Sequence, residues 1–316
     1  MTDANEELGL DELMVVAAEC ARHGIKAIKL TGGDPALWSP LVMAVRRLKA
    51  EGFTDVHVIS RHPKIGNLAN ALAEARVDLI NISIDTLKPE LHRQITGVND
   101  LPAVLNAVSQ CAASGVPTKV NMVVMGGIND DEVETVAATL ASWGVRELKL
   151  LDVIQDLDLG KESFSQRLSK LHGKPLKDLY VPLEQIVQNM RPQAISEKVI
   201  RQGDLGHPML SMQLVSGLRI TVKSHMAGAW YGSICNACPH YACHDALMAL
   251  RLTADMRLQF CLLREDVAVG LRPVLARGAD ALKVTIADAL SVFRHAAFEP
   301  AQEQPLARVI PTVLTS

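Results

Sequence analysis

Aromatic residues are scarce, at 3% of the 316 residues. A core of this size must therefore be assembled from Leu, Val, Ile, Ala and Met rather than from stacked rings. Long apolar runs are also missing: no stretch approaches the roughly 20 residues a membrane-spanning helix needs. The first ten residues, MTDANEELGL, are polar and acidic, unlike a signal peptide. These two absences predict a cytoplasmic protein with no membrane partner. A surplus of one charge is absent as well, because 32 Lys and Arg stand against 35 Asp and Glu for a net charge of -3. That balance leaves no electrostatic footprint for nucleic acid.

What is present is an ordinary globular composition, 48% hydrophobic and 21% charged, on a chain long enough for one large domain and an appendage. The organising stretch is Ile25 to Pro35, IKAIKLTGGDP, a β-branched run that stops at Gly32-Gly33. Four later stretches repeat its grammar of helix, glycine, strand and polar tip: Val56 to Ser60, Leu79 to Ile84, Lys119 to Met125 and Glu147 to Ile154. Between them fall helical patterns, among them Asp11 to His23 with Cys20 on its apolar face and the helix carrying Val104, Val108 and Cys111. Strands alternating with helices predict a parallel sheet whose C-terminal strand ends share one ligand-binding side. Thr31, Gly32, Gly33 and Asp34 then stand at the mouth of a site, although a Gly-Gly pair is also a common turn with no ligand.

The order begins with a helix where a parallel barrel normally begins with a strand. One strand before Asp11 is thus expected to be missing, which leaves the Ile25 strand at an open edge that the C-terminal tail, a second copy or a partner chain would cover. The division expected is a barrel over 1-155, a loosely patterned bridging insertion over 156-215, a cysteine-rich subdomain over 216-297 and a tail over 298-316.

Four of the six cysteines fall in that subdomain, as Cys235-x2-Cys238-x4-Cys243 and then Cys261. Thiolates at this spacing turn around one metal while a distant cysteine closes the site after a hairpin, here with Asp255-Met256-Arg257 at its turn. Spacing alone leaves an iron-sulfur cluster and a structural zinc as equal readings. His240 and His244 are read as hydrogen-bonding neighbours rather than ligands.

Taken together, Lys29-Leu-Thr-Gly-Gly-Asp-Pro35, Asn81-Ile-Ser-Ile-Asp85, Ile95-Thr-Gly97, Lys119-Val-Asn-Met122, Gly127-Ile-Asn-Asp-Asp-Glu132 and Leu250-Arg-Leu-Thr-Ala-Asp255 resemble the radical S-adenosylmethionine superfamily, and within it the GTP 3′,8-cyclase of molybdenum-cofactor biosynthesis and its relatives. The resemblance implies an α/β fold, a partial (βα)6 TIM-type barrel missing its first strand, with a C-terminal cluster-binding subdomain. It implies S-adenosylmethionine at Gly32, Gly33, Asp34 and Ser83, and a phosphorylated or nucleotide-like substrate at Lys29, Ser60, Lys119 and Arg251. It implies a C-terminal 4Fe-4S cluster on Cys235, Cys238 and Cys261, with Cys243 as a fourth cysteine.

The departures carry weight too. The family's Cys-x3-Cys-x2-Cys motif does not occur in the sequence, and Cys20 and Cys111 are the only cysteines outside the C-terminal group. The loop that usually reads Thr-Thr-Asn-Gly is Ile59-Ser-Arg-His62, and the methionine that contacts the cofactor is Ile154. Three readings follow: an enzyme truncated or degenerate at the cluster that cleaves S-adenosylmethionine, a non-catalytic homologue that binds a ligand or partner around a structural or electron-transfer cluster, and a zinc module on an unrelated barrel.

Overall fold

The computed structural model of the chain describes residues 8–153, 164–200, 208–223, 227–238, 241, 249–261 and 264–299. Helix α1 (Leu10–Arg22) opens the fold, and strands and helices then alternate: β1 (Ala27–Leu30), α2 (Leu41–Ala50), β2 (Asp55–Ser60), α3 (Lys64–Glu74), β3 (Leu79–Ser83), α4 (Pro89–Thr96), α5 (Leu101–Ala113), β4 (Thr118–Val123), α6 (Val133–Ser142) and β5 (Glu147–Leu151). After α7 (Phe164–His172) and α8 (Leu183–Ile186) come β6 (Ala194–Ile200), β7 (Met209–Leu214) and β8 (Arg219–Lys223). The sheet order is β1-β2-β3-β4-β5-β8-β7-β6. Neighbours from β1 through β8 run parallel, and β7 and β6 add an antiparallel margin. Six parallel strands with crossover helices make the α/β, partial-barrel architecture that the alternating pattern predicts.

β1 is an edge strand and pairs with β2 alone among the described residues. The C-terminal tail expected to cover its free edge lies, from residue 300 on, outside the described residues. The stretch read as a loose bridge differs from expectation, because β6 and β7 pair onto β8 and extend the main sheet. Sequence pattern hid β6: its residues are exposed on both faces, so no apolar alternation marks it.

The outward face of the sheet packs on helices. Val56, Val58, Ile80, Ile82, Val120, Met122, Leu148, Leu150, Ile220 and Val222 join one core with Leu48 of α2, Leu72 of α3, Val108 of α5 and Leu140 of α6. Helix α3 meets α5 at Gly66, where an added Cβ would stand 2.8 Å from the Cα of Ala107. Only glycine permits that approach.

The C-terminal part is built from β9 (Ala229–Tyr231), β10 (Arg251–Leu252), β11 (Arg257–Gln259), β12 (Val269–Gly270), α9 (Arg272–Ala276), α10 (Ala279–Arg294) and β13 (Ala297–Glu299). β10 and β11 form the expected hairpin, with Met256 at positive φ in its turn, and β9 pairs with β13. Its own core comprises Met256, Leu258, Phe260, Leu271, Leu282 and Ile286, and Val16 of α1 joins it with Cys20 packed alongside. Because Leu13, Met14 and Ala17 of the same helix enter the main core, α1 ties the two cores together.

Candidate functional site

Strand residues alternate between faces, so the positions between the apolar ones point the opposite way. Strand register sets these inner residues in rows. One row reads Asn81, Lys119, Glu147 and Arg219, and the next reads Ser83, Asn121, Lys149, Thr221 and Ser211. A third holds Val123, Leu151 and Lys223. A sheet packed on both faces would show near-continuous apolar strands. This one instead buries Asn81, Lys119, Glu147, Lys149, Ser211 and Thr221 on its inner face.

Cations cluster on that face among the described residues. Lys119 Nζ lies 2.6 Å from Glu147 Oε1, and Arg219 reaches the other oxygen of the same carboxylate at 3.7 Å. Burial pushes the Glu147 carboxyl up, but the Lys119 ammonium beside it, with Arg219, more than offsets this and holds it below its ordinary value. Lys149 is pushed well below the usual lysine range, first by burial and then by the ammonium groups of Lys119, Lys223 and Lys29. Asn81 Oδ1 and Asn121 Oδ1 are buried without a hydrogen-bond partner. Buried acceptors left unpaired beside clustered cations are what a polar ligand site looks like without its ligand.

At the strand tips the motifs divide into open and engaged positions. Gly32 holds φ +131, a conformation that favours glycine, and no atom lies within 4 Å of where a Cβ of Gly32 or Gly33 would sit. Asp34 is fully engaged: Oδ1 accepts from Ala36 N at 2.9 Å and Ser60 Oγ at 2.7 Å, and Oδ2 from Arg61 N at 2.8 Å and His62 N at 3.1 Å. This carboxylate staples the tip of β1 to the tip of β2. Ser60 is buried on the outward, helix-packed side in phase with Val56 and Val58, away from the lysine face. Asp85 is buried and accepts from Val123 N at 2.8 Å. Burial raises its carboxyl above the ordinary value. Asn129 bonds Met125 N, Asp85 O and Val123 O, and Glu132 accepts from Thr86 Oγ1 and Leu87 N. The Gly127 to Glu132 motif therefore locks the tips of β3 and β4 together.

Of the substrate positions suggested by motif, Lys119 stands on the inner face, Lys29 stands on β1 at the exposed sheet edge, and Arg251 is half-buried on β10 of the separate three-stranded sheet. Lys149, Glu147, Asn121 and Lys223 were missed by motif reading. Their signal was nevertheless present, because polar residues alternating with Leu or Val inside parallel strands mark an inner face that is not an apolar core.

The C-terminal thiols occupy a different region. Cys238 N donates to Cys235 O at 3.0 Å, which folds the x2 loop, and buried Cys261 packs on Ile234 and Tyr231. Burial pushes the Cys235 thiol up. A cavity of about 510 Å³ opens beside Cys235, lined by Tyr231, Ser233, Asn236, Tyr241, His295 and Glu299. The donor chemistry suits a soft metal or an iron-sulfur cluster. Among the described residues, however, no three Cys, His, Asp or Glu side chains come together as a metal site. Cys243, His240 and His244 lie outside the described residues, as does Ile154. Cys20 and Cys111 do not fit a second cluster: burial pushes their thiols to about 11 and about 12, and each sits on a helix. No step through a cluster that cleaves S-adenosylmethionine is built on these two.

Comparison with known proteins agrees with the motifs. Residues 1–140 match the model of the radical SAM superfamily. The chain is 28% identical over 290 residues to a protein of Pyrococcus horikoshii named probable GTP 3′,8-cyclase, with 90% of this chain and 82% of that one covered. It is 29% identical over 286 residues to GTP 3′,8-cyclase of Heliobacterium modesticaldum, covering 88% and 78%. Among solved structures it is similar to methylornithine synthase (14% identity, TM-score 0.42, 90% and 76% covered) and to coproporphyrinogen III oxidase of Escherichia coli (10%, 0.43, 65% and 60%). No helix among the described residues is long and apolar enough to cross a membrane.

Proposed function

We propose that this radical SAM family protein binds a small polyanionic, nucleotide-like molecule on the inner face of its barrel and carries a 4Fe-4S cluster on its C-terminal cysteines. The observation that carries the first half is the clustering of cations there: among the described residues Lys119 and Arg219 share one carboxylate, Glu147, and Lys149 is buried beside them without a carboxylate of its own. Phosphate oxygens supply the missing negative charge, and unpaired amide groups supply polar contacts to the rest of the ligand. The relatives named GTP 3′,8-cyclase point to a purine nucleotide as the first molecule to test. S-adenosylmethionine would lie over Gly32 and Gly33, near Ser83.

Calorimetric titration with GTP and with inorganic triphosphate tests this reading. Both should bind, and Lys223→Met should weaken each about tenfold, the loss of one charge-assisted contact. Absence of binding by either at millimolar concentration overturns it.

The cluster would be held by Cys235, Cys238 and Cys261, with Cys243 as fourth ligand. Anaerobically purified protein should be brown and contain iron and sulfide in equal amounts, and the colour should be lost in Cys235→Ala and Cys238→Ala. Stoichiometric zinc without iron would replace the cluster by the zinc reading.

A second reading, a non-catalytic homologue that keeps the barrel for ligand or partner binding, is favoured by Asp34. That carboxylate is bound to four protein donors, and Cys20 and Cys111 are unsuited to hold iron. Release of 5′-deoxyadenosine by this chain alone under reducing conditions would exclude the second reading.

A further inference from the structure

Lys149 is not needed to balance any charge. It is 8% exposed, and among the described residues its ammonium has no carboxylate partner and no hydrogen bond, whereas Glu147, the nearest acid, is taken by Lys119 at 2.6 Å. Its row otherwise holds Ser83, Asn121, Thr221 and Ser211, and reaches another ionisable group only at the exposed Lys198 of the marginal strand β6. Asn121, its direct register partner on β4, keeps a buried and unpartnered Oδ1. A structural lysine at such a place would be expected to pair with an acid, because burying an unpaired cation is costly. A lysine desolvated beside other cations is how proteins make the amine a nucleophile at neutral pH.

We propose that Lys149 is a nucleophilic amine that condenses reversibly with an aldehyde or ketone bearing a phosphate or other anionic group. The Nζ lone pair attacks the carbonyl carbon, forming the C–N bond, and the carbonyl oxygen takes up the amine proton to give a carbinolamine. Loss of that oxygen as water leaves the C=N bond of the imine. The step needs neither oxidant nor reductant. Ser83 and Thr221, in the same row, are the hydroxyl groups placed to exchange protons with the departing oxygen. The anionic end of the carbonyl compound would be held by Lys119, Lys223 and Lys29, so in that part the inference rests on the anion-binding reading above. Burial together with those same three ammonium groups keeps the amine low, while Glu147, the one acid facing it among the described residues, acts in the opposite direction.

The test uses the full chain with pyridoxal 5′-phosphate and, separately, with pyridoxal, each at one equivalent, followed by borohydride reduction and mapping of the modified lysines by mass spectrometry. Lys149 should carry roughly tenfold more label than the exposed Lys64 or Lys283, as its larger neutral fraction dictates. Preference for the phosphorylated probe supports both the imine and the anion site. Equal labelling of Lys149 by the two probes supports the imine and removes only the anion site. Label spread over exposed lysines, with none at Lys149, overturns the proposal whether or not triphosphate binds. Because the mapping is made on the unsubstituted protein, the result does not depend on how well a Lys149 variant folds.

Discussion

The two faces of the main sheet are made by the same strands and differ by one residue of phase. Outward, Val58, Ile80, Ile82, Val120, Leu148 and Ile220 are fully buried against helices and supply the cohesion of the fold. Each such side chain contributes roughly 1.5–3 kcal/mol by leaving water. Inward, at the alternate positions, Lys119, Glu147, Lys149 and Asn81 are buried almost as deeply and contribute little or act against folding. The comparison separates what holds this protein together from what it holds a ligand with. A sheet that tolerates buried ions on one face does so because the other face is continuous enough to bear the cost.

The strongest break of that contrast is at Glu147. Replacement of this residue alone, Glu147→Leu, strands Lys119 at 4% exposure beside Lys149 with no counter-charge, and should cost about 3–5 kcal/mol in chemical denaturation. The double variant Lys119→Met/Glu147→Leu removes both charges and should recover most of that loss. If the single variant is as stable as the parent protein, the pair is not buried as described.

Lys149 gives a smaller effect of opposite sign. Lys149→Met should raise stability at pH 7 by about 1–3 kcal/mol, because an apolar chain of similar length replaces a desolvated and unpaired amine. The sign of the pH dependence follows from linkage. The folded-state value lies below that of the unfolded chain, so between the two the unfolded state binds the extra proton and stability rises with pH. The gap between the variant and the parent should therefore narrow as pH climbs from 7 toward 10. A gap that stays constant over that window would mean that Lys149 keeps its proton in the fold.

How much of this was legible beforehand depended on which physical signal each part used. Apolar alternation and glycine stops marked β1 through β5 within a few residues, because those strands bury one face against helices, whereas β8, expected within the cysteine-rich subdomain, pairs with β5 in the main sheet. Strand β6 escaped because both of its faces are exposed, and it is held by ladder hydrogen bonds to β7 that leave no side-chain pattern. Motif resemblance singled out Lys119 but passed over Lys149, whose meaning comes from a row of residues drawn from five different strands. That row exists only once register is known. Asp100 and Asn129 stand just before helical turns but make no side-chain cap bond to them. Instead His92 Nε2 takes the Asp100 carboxylate at 2.8 Å, and Asn129 is buried as a three-way tie between loops. A polar side chain near a helix start advertises that it will bond something; which partner it finds is decided by the neighbouring loop.

Ser60 makes the finest distinction between the two faces. Motif matching placed it with the ligand, yet strand phase places it outward with Val56 and Val58, 2% exposed, where its hydroxyl donates to Asp34 at 2.7 Å and accepts from His62 N at 3.1 Å. Asp34 keeps three backbone donors when that hydroxyl is removed, so Ser60→Ala should cost only about 1 kcal/mol and lower the melting temperature by about 2 °C. Affinity for triphosphate should not change, because the β1 and β2 tips remain stapled through Ala36, Arg61 and His62. A direct ligand contact predicts the reverse, an unchanged melting temperature with affinity reduced about tenfold. Differential scanning calorimetry and isothermal titration on the same preparation separate the two. A loss of affinity at constant stability would move Ser60 to the inner face and with it the whole phase assignment of β2.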